Sequence, residues 1–309
     1  PTNIDAPPYL LTFMSPILGL LLVVLFWGGN FTASKIALAE IPPLPFTAIR
    51  FAVGSVLLGL VILKREGRLH PPRGNFLRLL LLGLVGNTVY QVLFIHGLAL
   101  TSATNSSLIL ASMPTVVTVG AGLLGMETVS RRGVLGLVVA SAGVLLVVVA
   151  RGGSLGGGHA GDALMLGAVL CWALYTLGLR RLGSIGLSPL ELTAWSMILG
   201  TPVLVVLGVP GLMALSWGSI STAAWLGLAY ATLLSLVAAY VLWSLAVQAL
   251  GASRTALVSL LTPFVATTIA TLVLRERPGP VHLAGGALIV TGVLLARTAA
   301  PVIAPAEEG

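Results

Sequence analysis

Tryptophan, tyrosine, asparagine and glutamine recur in this chain at the spacing of a helix face, inside runs that are otherwise apolar. Trp27, Asn30 and Ser34 fall three or four residues apart, as do Gly83, Asn87, Tyr90 and Gln91, with Phe94 one turn further on. Asn105 and Ser112 lie seven apart, with Thr115 at the next turn. Trp172 pairs with Tyr175, Tyr240 with Trp243 and Ser244, and Thr255 with Ser259 and Thr262. Residues three, four and seven apart share one side of a helix. Amides, hydroxyls and indoles so arranged bind neutral or zwitterionic solutes through hydrogen bonds and ring contact.

Bond-breaking chemistry has little to work with. Hydrolysis would need a paired aspartate, a Ser–His combination or a metal cluster, and His70, His159 and His282 fall in loops or at the ends of apolar runs. The carboxylates, from Asp5 and Glu40 to Glu307 and Glu308, likewise lie in tails, loops or run ends. An enzyme is therefore not expected, nor a metal site or a cofactor. A proton pump built on deep carboxylates is also not expected, which leaves His96, near the end of its run, as a weak proton-coupling candidate.

The solvent follows from composition. Hydrophobic residues make up 57% and charged residues 8% of the 309, whereas soluble domains carry about 25% charged residues. A bilayer core needs about 20 apolar residues per helix. On that length the chain divides into ten spans, at roughly 17–38, 46–63, 77–99, 104–125, 133–150, 161–181, 190–209, 222–247, 252–274 and 281–297. The expected fold class is all-α integral membrane, a single domain over 1–309. No cleavage pattern follows the first run, so a removable signal peptide is not expected. Cys171 is the only cysteine, which excludes an internal disulfide.

The net charge of +7 is spread loop by loop, so no nucleic-acid partner is expected. Lys64, Arg65, Arg68, Arg73, Arg78, Arg131, Arg132, Arg180, Arg181, Arg254 and Arg297 collect on one side, and Lys35, Arg50, Arg151, Arg275 and Arg277 on the other. The positive-inside rule then puts both termini in the cytoplasm.

The chain also repeats. The segment from Ala103 matches the segment from Ala252 at an offset of 149, with Pro114 over Pro263, Glu127 over Glu276, Gly136 over Gly285 and Gly143 over Gly292. "YQVLFIHGLAL" (90–100) matches "YVLWSLAVQAL" (240–250). Repeat one covers about 17–150 and repeat two about 161–297. Five spans is an odd number, so the halves enter the membrane in opposite senses, as in the inverted repeats of secondary transporters. A channel would need a ring of charges or carbonyls as a filter, and none stands out.

The ten-span plan, the "WGGNF" entry, the proline in the fourth span followed by "GMETVSRRGVLG", and its echo "LRERPGPVHLAGGALIVTG" resemble the drug/metabolite transporter superfamily, in its EamA branch. The resemblance implies a central cavity lined by spans 1, 3, 4, 6, 8 and 9, with spans 5 and 10 peripheral; their small residues suit close helix packing. It implies export across the bacterial inner membrane, most like bacterial amino-acid exporters, aromatic or other apolar neutral ones first. The alternative is a multidrug or general metabolite exporter. A neutral aromatic cavity suits nucleotide sugars poorly, because phosphates call for a deep Lys or Arg.

The expected substrate-binding residues are Trp27, Asn30, Asn87, Tyr90, Gln91, Trp172, Tyr175, Tyr240, Trp243 and Ser259. Pro114 and Pro263 each remove a helix hydrogen bond and are the expected hinges, with Lys35 as a gating or structural residue near the outer end of span 1. Ser34, Ser112 and Ser259 have a competing use, bonding their own backbone, and Asn30 could join helices instead of binding solute. Trp195, Trp217 and Trp225, and in part Tyr230, are assigned to the interfacial belt. Glu127 with Arg131 and Glu276 with Arg275 suggest a structural charge network in loops. The partners are a small-molecule substrate and the lipid bilayer, with a monomer allowed.

Overall fold

A computed structural model describes residues 15–66, 74–126, 131–149, 159–182, 187–250 and 258–297, and among these every regular element is helical. We number the helices α1 Pro16–Leu38, α2 Pro43–Glu66, α3 Phe76–Leu100, α4 (Ala103–Leu110 and Met113–Leu123), α5 Arg131–Val149, α6 His159–Leu182 and α7 Pro189–Ala214. They continue with α8 (Thr222–Ala229, Tyr230–Ala238 and Ala239–Leu250), α9 (Ser259–Leu261 and Thr262–Val273) and α10 Pro280–Arg297. Seven of them, α1 to α4 and α6 to α8, are long and apolar enough to cross a membrane among the described residues.

The ends of these helices have local causes. Ser15, Ser102, Ser188 and Ser221 each accept a backbone N–H of the first turn they precede, which satisfies one of the orphan donors of a helix start. Pro43 opens α2 and Pro189 opens α7, positions where the missing N–H costs nothing. Helix α2 thus begins three residues before its expected span. Outward faces are greasy: Leu25, Val56, Leu60, Leu170, Leu174 and Val206 are exposed in mid-helix, a surface that acyl chains and not water would solvate.

Much of the packing recurs under exchange of the two halves, although α5 and α10 both lie against α4. Helix α1 packs on α8 and α9, while α6 packs on α3 and α4; α2 packs on α8, while α7 packs on α3; α5 packs on α10, and α2 on α7. The α5–α10 seam shows it at single residues. A Cβ on Gly143 would stand 2.6 Å from the Gly285 carbonyl oxygen, and one on Gly292 2.5 Å from that of Gly136. Those are the equivalent glycines, exchanged. Here two helices approach so closely that no side chain fits between their backbones.

The prolines correct a detail. Pro114 does not sit inside an unbroken helix: α4 is interrupted at Ala111–Ser112, and Pro114 stands in the first turn of the restarted segment. Pro263 occupies the same place in the segment that follows the tight turn Ser259–Leu261. A residue with no N–H is accommodated where that N–H would be unpaired anyway, so the break comes a residue or two before each proline. The expected partner Glu127, Thr255 and the start of the ninth span lie outside the described residues.

Candidate substrate-binding site

Two wide-turned π stretches frame the centre of the bundle, Leu84–Val89 in α3 and Tyr230–Ala238 in α8. They occupy corresponding places in the two halves, just ahead of Tyr90 and Tyr240. Such stretches shift the helical ladder and turn backbone groups toward side chains. In α8 the Ser235 carbonyl accepts from Trp27 Nε1 at 3.1 Å, and the Ala231 carbonyl accepts from Arg50 Nε at 3.0 Å. In α3 Thr88 donates to the Gly200 carbonyl at 2.8 Å and Asn87 Nδ2 to Ser196 Oγ at 3.2 Å.

The aromatic rings gather in two groups. Trp27 stands edge-on to Tyr240 with centroids 6.5 Å apart and lies 5.0 Å from Trp243. Trp172 lies 5.0 Å from Tyr90 and 5.3 Å from Tyr175, and Tyr90 stacks on Phe94 at 5.8 Å. "VLFWGGNF" around Trp27 and "VLCWALYT" around Trp172 occupy matching places in α1 and α6. The tryptophan of each half therefore meets the tyrosine of the other. Phe31, one turn after Trp27 on α1, lies 6.0 Å from Phe94, so α1 connects the two groups. Trp27, Trp172, Tyr240 and Trp243 remain partly exposed.

A buried polar chain holds the α3–α6–α7 side. Ser196 spends its one hydroxyl hydrogen on the Thr193 carbonyl at 2.8 Å, so Tyr175, whose oxygen lies 2.8 Å from Ser196 Oγ, must donate to it, as Asn87 also does. The glycines of α1 let neighbours in: a Cβ on Gly29 would fall 2.2 Å from the Tyr230 hydroxyl, which donates to the Leu25 carbonyl at 3.1 Å.

The sequence-predicted residues divide accordingly. Trp27, Tyr90, Trp172, Tyr175, Tyr240 and Trp243 come together, and Asn87 joins them through Ser196. Asn30 is buried one turn from Trp27 and accepts from Ser34 Oγ at 3.3 Å. Gln91 is buried with its Oε1 unpartnered among the described residues. Ser259 follows Val258, which packs, as Trp27 and Trp243 do, against the cluster of Leu20, Val23, Ala239 and Ala246. Lys35 instead reaches the Ala99 carbonyl at 3.3 Å at one end of the bundle, and His96 Nδ1 lies 2.9 Å from the Val92 carbonyl of its own helix.

Three residues were missed or misread. Arg50, counted above with the outer charges, is 4% exposed and inside the bundle: with α2 starting at Pro43 it stands two turns in, not at the margin. The expectation of a cavity without a deep cation is corrected by it. Ser196 carried no signal, being one serine in a span without a polar stripe. Trp195, assigned to the belt, is buried among Leu79, Leu182 and Leu192, whereas Trp217 and Trp225 stack on the surface.

The end that holds Lys35 is laced across helices. Thr101 donates to Asp162 Oδ1 at 2.6 Å; the Glu276 carboxylate accepts the backbone N–H groups of Ala103 and Thr104 at 2.8 and 3.0 Å. Glu40 accepts from the Ser221 N–H and hydroxyl, both at 2.6 Å, and these bonds hold its carboxyl below the usual carboxylate range, the hydroxyl contributing most. Glu276 thus bonds α4, beyond the loop pairing expected of it.

Comparison with known proteins agrees with this architecture. Residues 14–149 and 159–298 each match the EamA-like transporter family. The chain belongs to that family. An uncharacterized transporter of Archaeoglobus fulgidus is 30% identical to this transporter over 89% of this chain and 95% of its own. The uncharacterized transporter YyaM of Bacillus subtilis is 28% identical over 88% and 90%. A probable terminal-alkyne amino-acid exporter of Streptantibioticus cattleyicolor is 28% identical over 89% and 91%. A solved crystal structure covers 91% of this chain and 97% of its own at a TM-score of 0.66 and 18% identity, a likeness of fold. A multi-pass membrane transporter is the plain reading.

Proposed function

We propose that this transporter exports amino acids with aromatic or other apolar neutral side chains across the bacterial inner membrane by alternating access. It does so as ten transmembrane helices in two inverted five-helix repeats, with both termini cytoplasmic. The observation that carries the reading is the exchanged pair of ring contacts, Trp27 with Tyr240 and Trp172 with Tyr90. A site built from both halves of a bundle in which most helix contacts recur on their exchange changes its access when the halves rock. Its rings suit an apolar side chain, and its amides and hydroxyls suit a zwitterionic backbone. The similarity to a probable terminal-alkyne amino-acid exporter supports the substrate class. Removal of Arg50 from the outer charges leaves that side still poorer in cations, which favours the orientation.

The test is flux of labelled phenylalanine, tryptophan and methionine into proteoliposomes, with a nucleotide sugar as control. Amino-acid flux above empty liposomes that falls in W172A and Y90A supports the reading. Absence of flux for all three, with and without a proton gradient, replaces it by a multidrug or general metabolite exporter.

A further inference from the structure

Arg50 is a buried cation whose guanidinium carbon lies 5.8 Å from the centre of the neighbouring Phe51 ring. An arginine stays charged in any protein environment, and removal of such an ion from water costs several kcal/mol unless it is paired. Yet among the described residues no carboxylate answers it: those of Glu40, Asp162, Glu191 and Glu276 bond Ser221, Thr101, Ser188 and the α4 backbone. Its Nε is the one guanidinium nitrogen with a protein acceptor among the described residues, the Ala231 carbonyl in the π stretch of α8. That bond fixes the plane of the fork and leaves the four N–H of the two Nη atoms for another acceptor. Trp27 bonds the same π stretch four residues further on, at the Ser235 carbonyl, and stands edge-on to Tyr240, so Arg50 and the ring pair share one stretch of α8. A buried positive charge therefore stands on the α2–α8 side of the ring groups. On the α3–α7 side the corresponding contact is neutral, Asn87 on Ser196.

We infer that Arg50 is the anion subsite of the transporter, taking the substrate carboxylate on its Nη edge while the apolar side chain lies among Trp27, Tyr90, Trp172 and Tyr240. A bidentate guanidinium–carboxylate pair fixes direction as well as charge. The electrical asymmetry of the two halves then gives the solute one orientation in a site that is otherwise symmetric. The carboxylate supplies the anionic partner that the buried cation lacks among the described residues. Solutes without an anionic group leave the cation unpaired and are disfavoured, which separates amino acids and other carboxylates from amines and neutral drugs of the same shape.

This assignment rests on the amino-acid reading of the same site, so its test measures binding directly. Quenching of tryptophan fluorescence in the purified full chain gives Kd for phenylalanine, 3-phenylpropionate, phenylalaninamide, phenethylamine and phenyl phosphate. In the parent, the two carboxylates bind within about tenfold of each other, and the amide and amine bind weaker by on the order of a hundredfold, as loss of one partner of a buried charge pair implies. Arg50→Gln brings phenylalanine and its amide together, and Arg50→Lys falls between. The parent series needs no variant, so a poorly folding Arg50→Gln does not blunt it. Equal binding of phenylalanine and its amide in the parent overturns the subsite and leaves amino-acid transport standing. So does unchanged discrimination in Arg50→Gln. Tighter binding of phenyl phosphate than of 3-phenylpropionate overturns the carboxylate assignment. Arg50-dependent binding of 3-phenylpropionate without binding of phenylalanine supports the subsite and removes the amino-acid reading. Binding of phenethylamine alone, or of no probe, removes both.

Discussion

Glu40 spends both carboxylate oxygens on Ser221, one on its N–H and one on its hydroxyl, and so ties the loop after α1 to the cap of α8 across 181 residues of chain. Both bonds favour the charged carboxylate. Because the pKa is lowered on folding, the contribution of this tie is complete above the range where free glutamate titrates, about pH 4.3. It fades as pH falls through the lowered value. Thermal melting of the parent and E40Q across about pH 3 to 7 should show a gap at neutral pH that closes in acid. A gap independent of pH would mean that Glu40 acts through shape alone.

Glu276 makes the corresponding tie between the segment after α9 and the start of α4, with two charge-assisted bonds to backbone donors. Hydrogen bonds to charged groups are worth about 1.5–3 kcal/mol each net. E276A should lower the unfolding midpoint by several degrees, and E276Q by less, since its amide oxygen still accepts. An E276A protein that melts with the parent would show that the α4 start is held by packing.

Rings that bracket a solute should change its affinity and those at the surface should not. A well-placed aromatic pair adds about 0.5–1.5 kcal/mol beyond area, so W27A and W172A should each raise KM for phenylalanine about two- to tenfold. Trp217, stacked on Trp225 at the surface, is the control, and W217A should leave KM alone. A rise of the same size in W217A would show that the effect is general destabilisation.

The sequence made the lipid-facing lengths, the repeat and the aromatic stripes legible because each is local. Apolar runs must match a bilayer, Gly and Pro recur in register, and Trp27, Tyr90, Trp172 and Tyr240 share faces with polar neighbours. What stayed hidden depends on contacts distant in the chain. Arg50 reads as a marginal cation until Pro43 is seen to open α2 and Ala231, 181 residues away, is seen to receive its Nε. Ser196 becomes informative only as the meeting point of Asn87 and Tyr175. The π stretches carry no residue signature at all. They are visible only in contacts with distant helices, where Ser235 and Ala231 meet Trp27 and Arg50 and where Asn87 and Thr88 meet Ser196 and Gly200.

Pro114 and Pro263 hold breaks at equivalent points of α4 and α9, and the Ser112 hydroxyl donates to the Ile109 carbonyl at 2.7 Å inside the first of them. If these breaks are the joints on which the two mouths open, P114A and P263A should slow phenylalanine flux more than they reduce expression, because alanine lets the helix run through. Flux at the parent rate in both variants would place the hinge elsewhere.

The α5–α10 seam gives the sharpest test of what the repeat glycines do. A Cβ on Gly143 would meet the Gly285 carbonyl oxygen at 2.6 Å and the Ile289 nitrogen at 2.8 Å. Backbone cannot swing away, so the two helices must part along their length. At Gly120 the one close atom is the flexible Leu177 Cδ1 at 2.8 Å, which a rotamer change relieves. Overpacking costs about 1–3 kcal/mol where nothing yields, so G143A should melt several degrees below the parent and G120A close to it. Neither α5 nor α10 carries a ring of the site, so KM for phenylalanine should be unchanged in both. Equal melting of G143A and the parent would mean that lipid, and not the glycine seam, sets the distance between these helices.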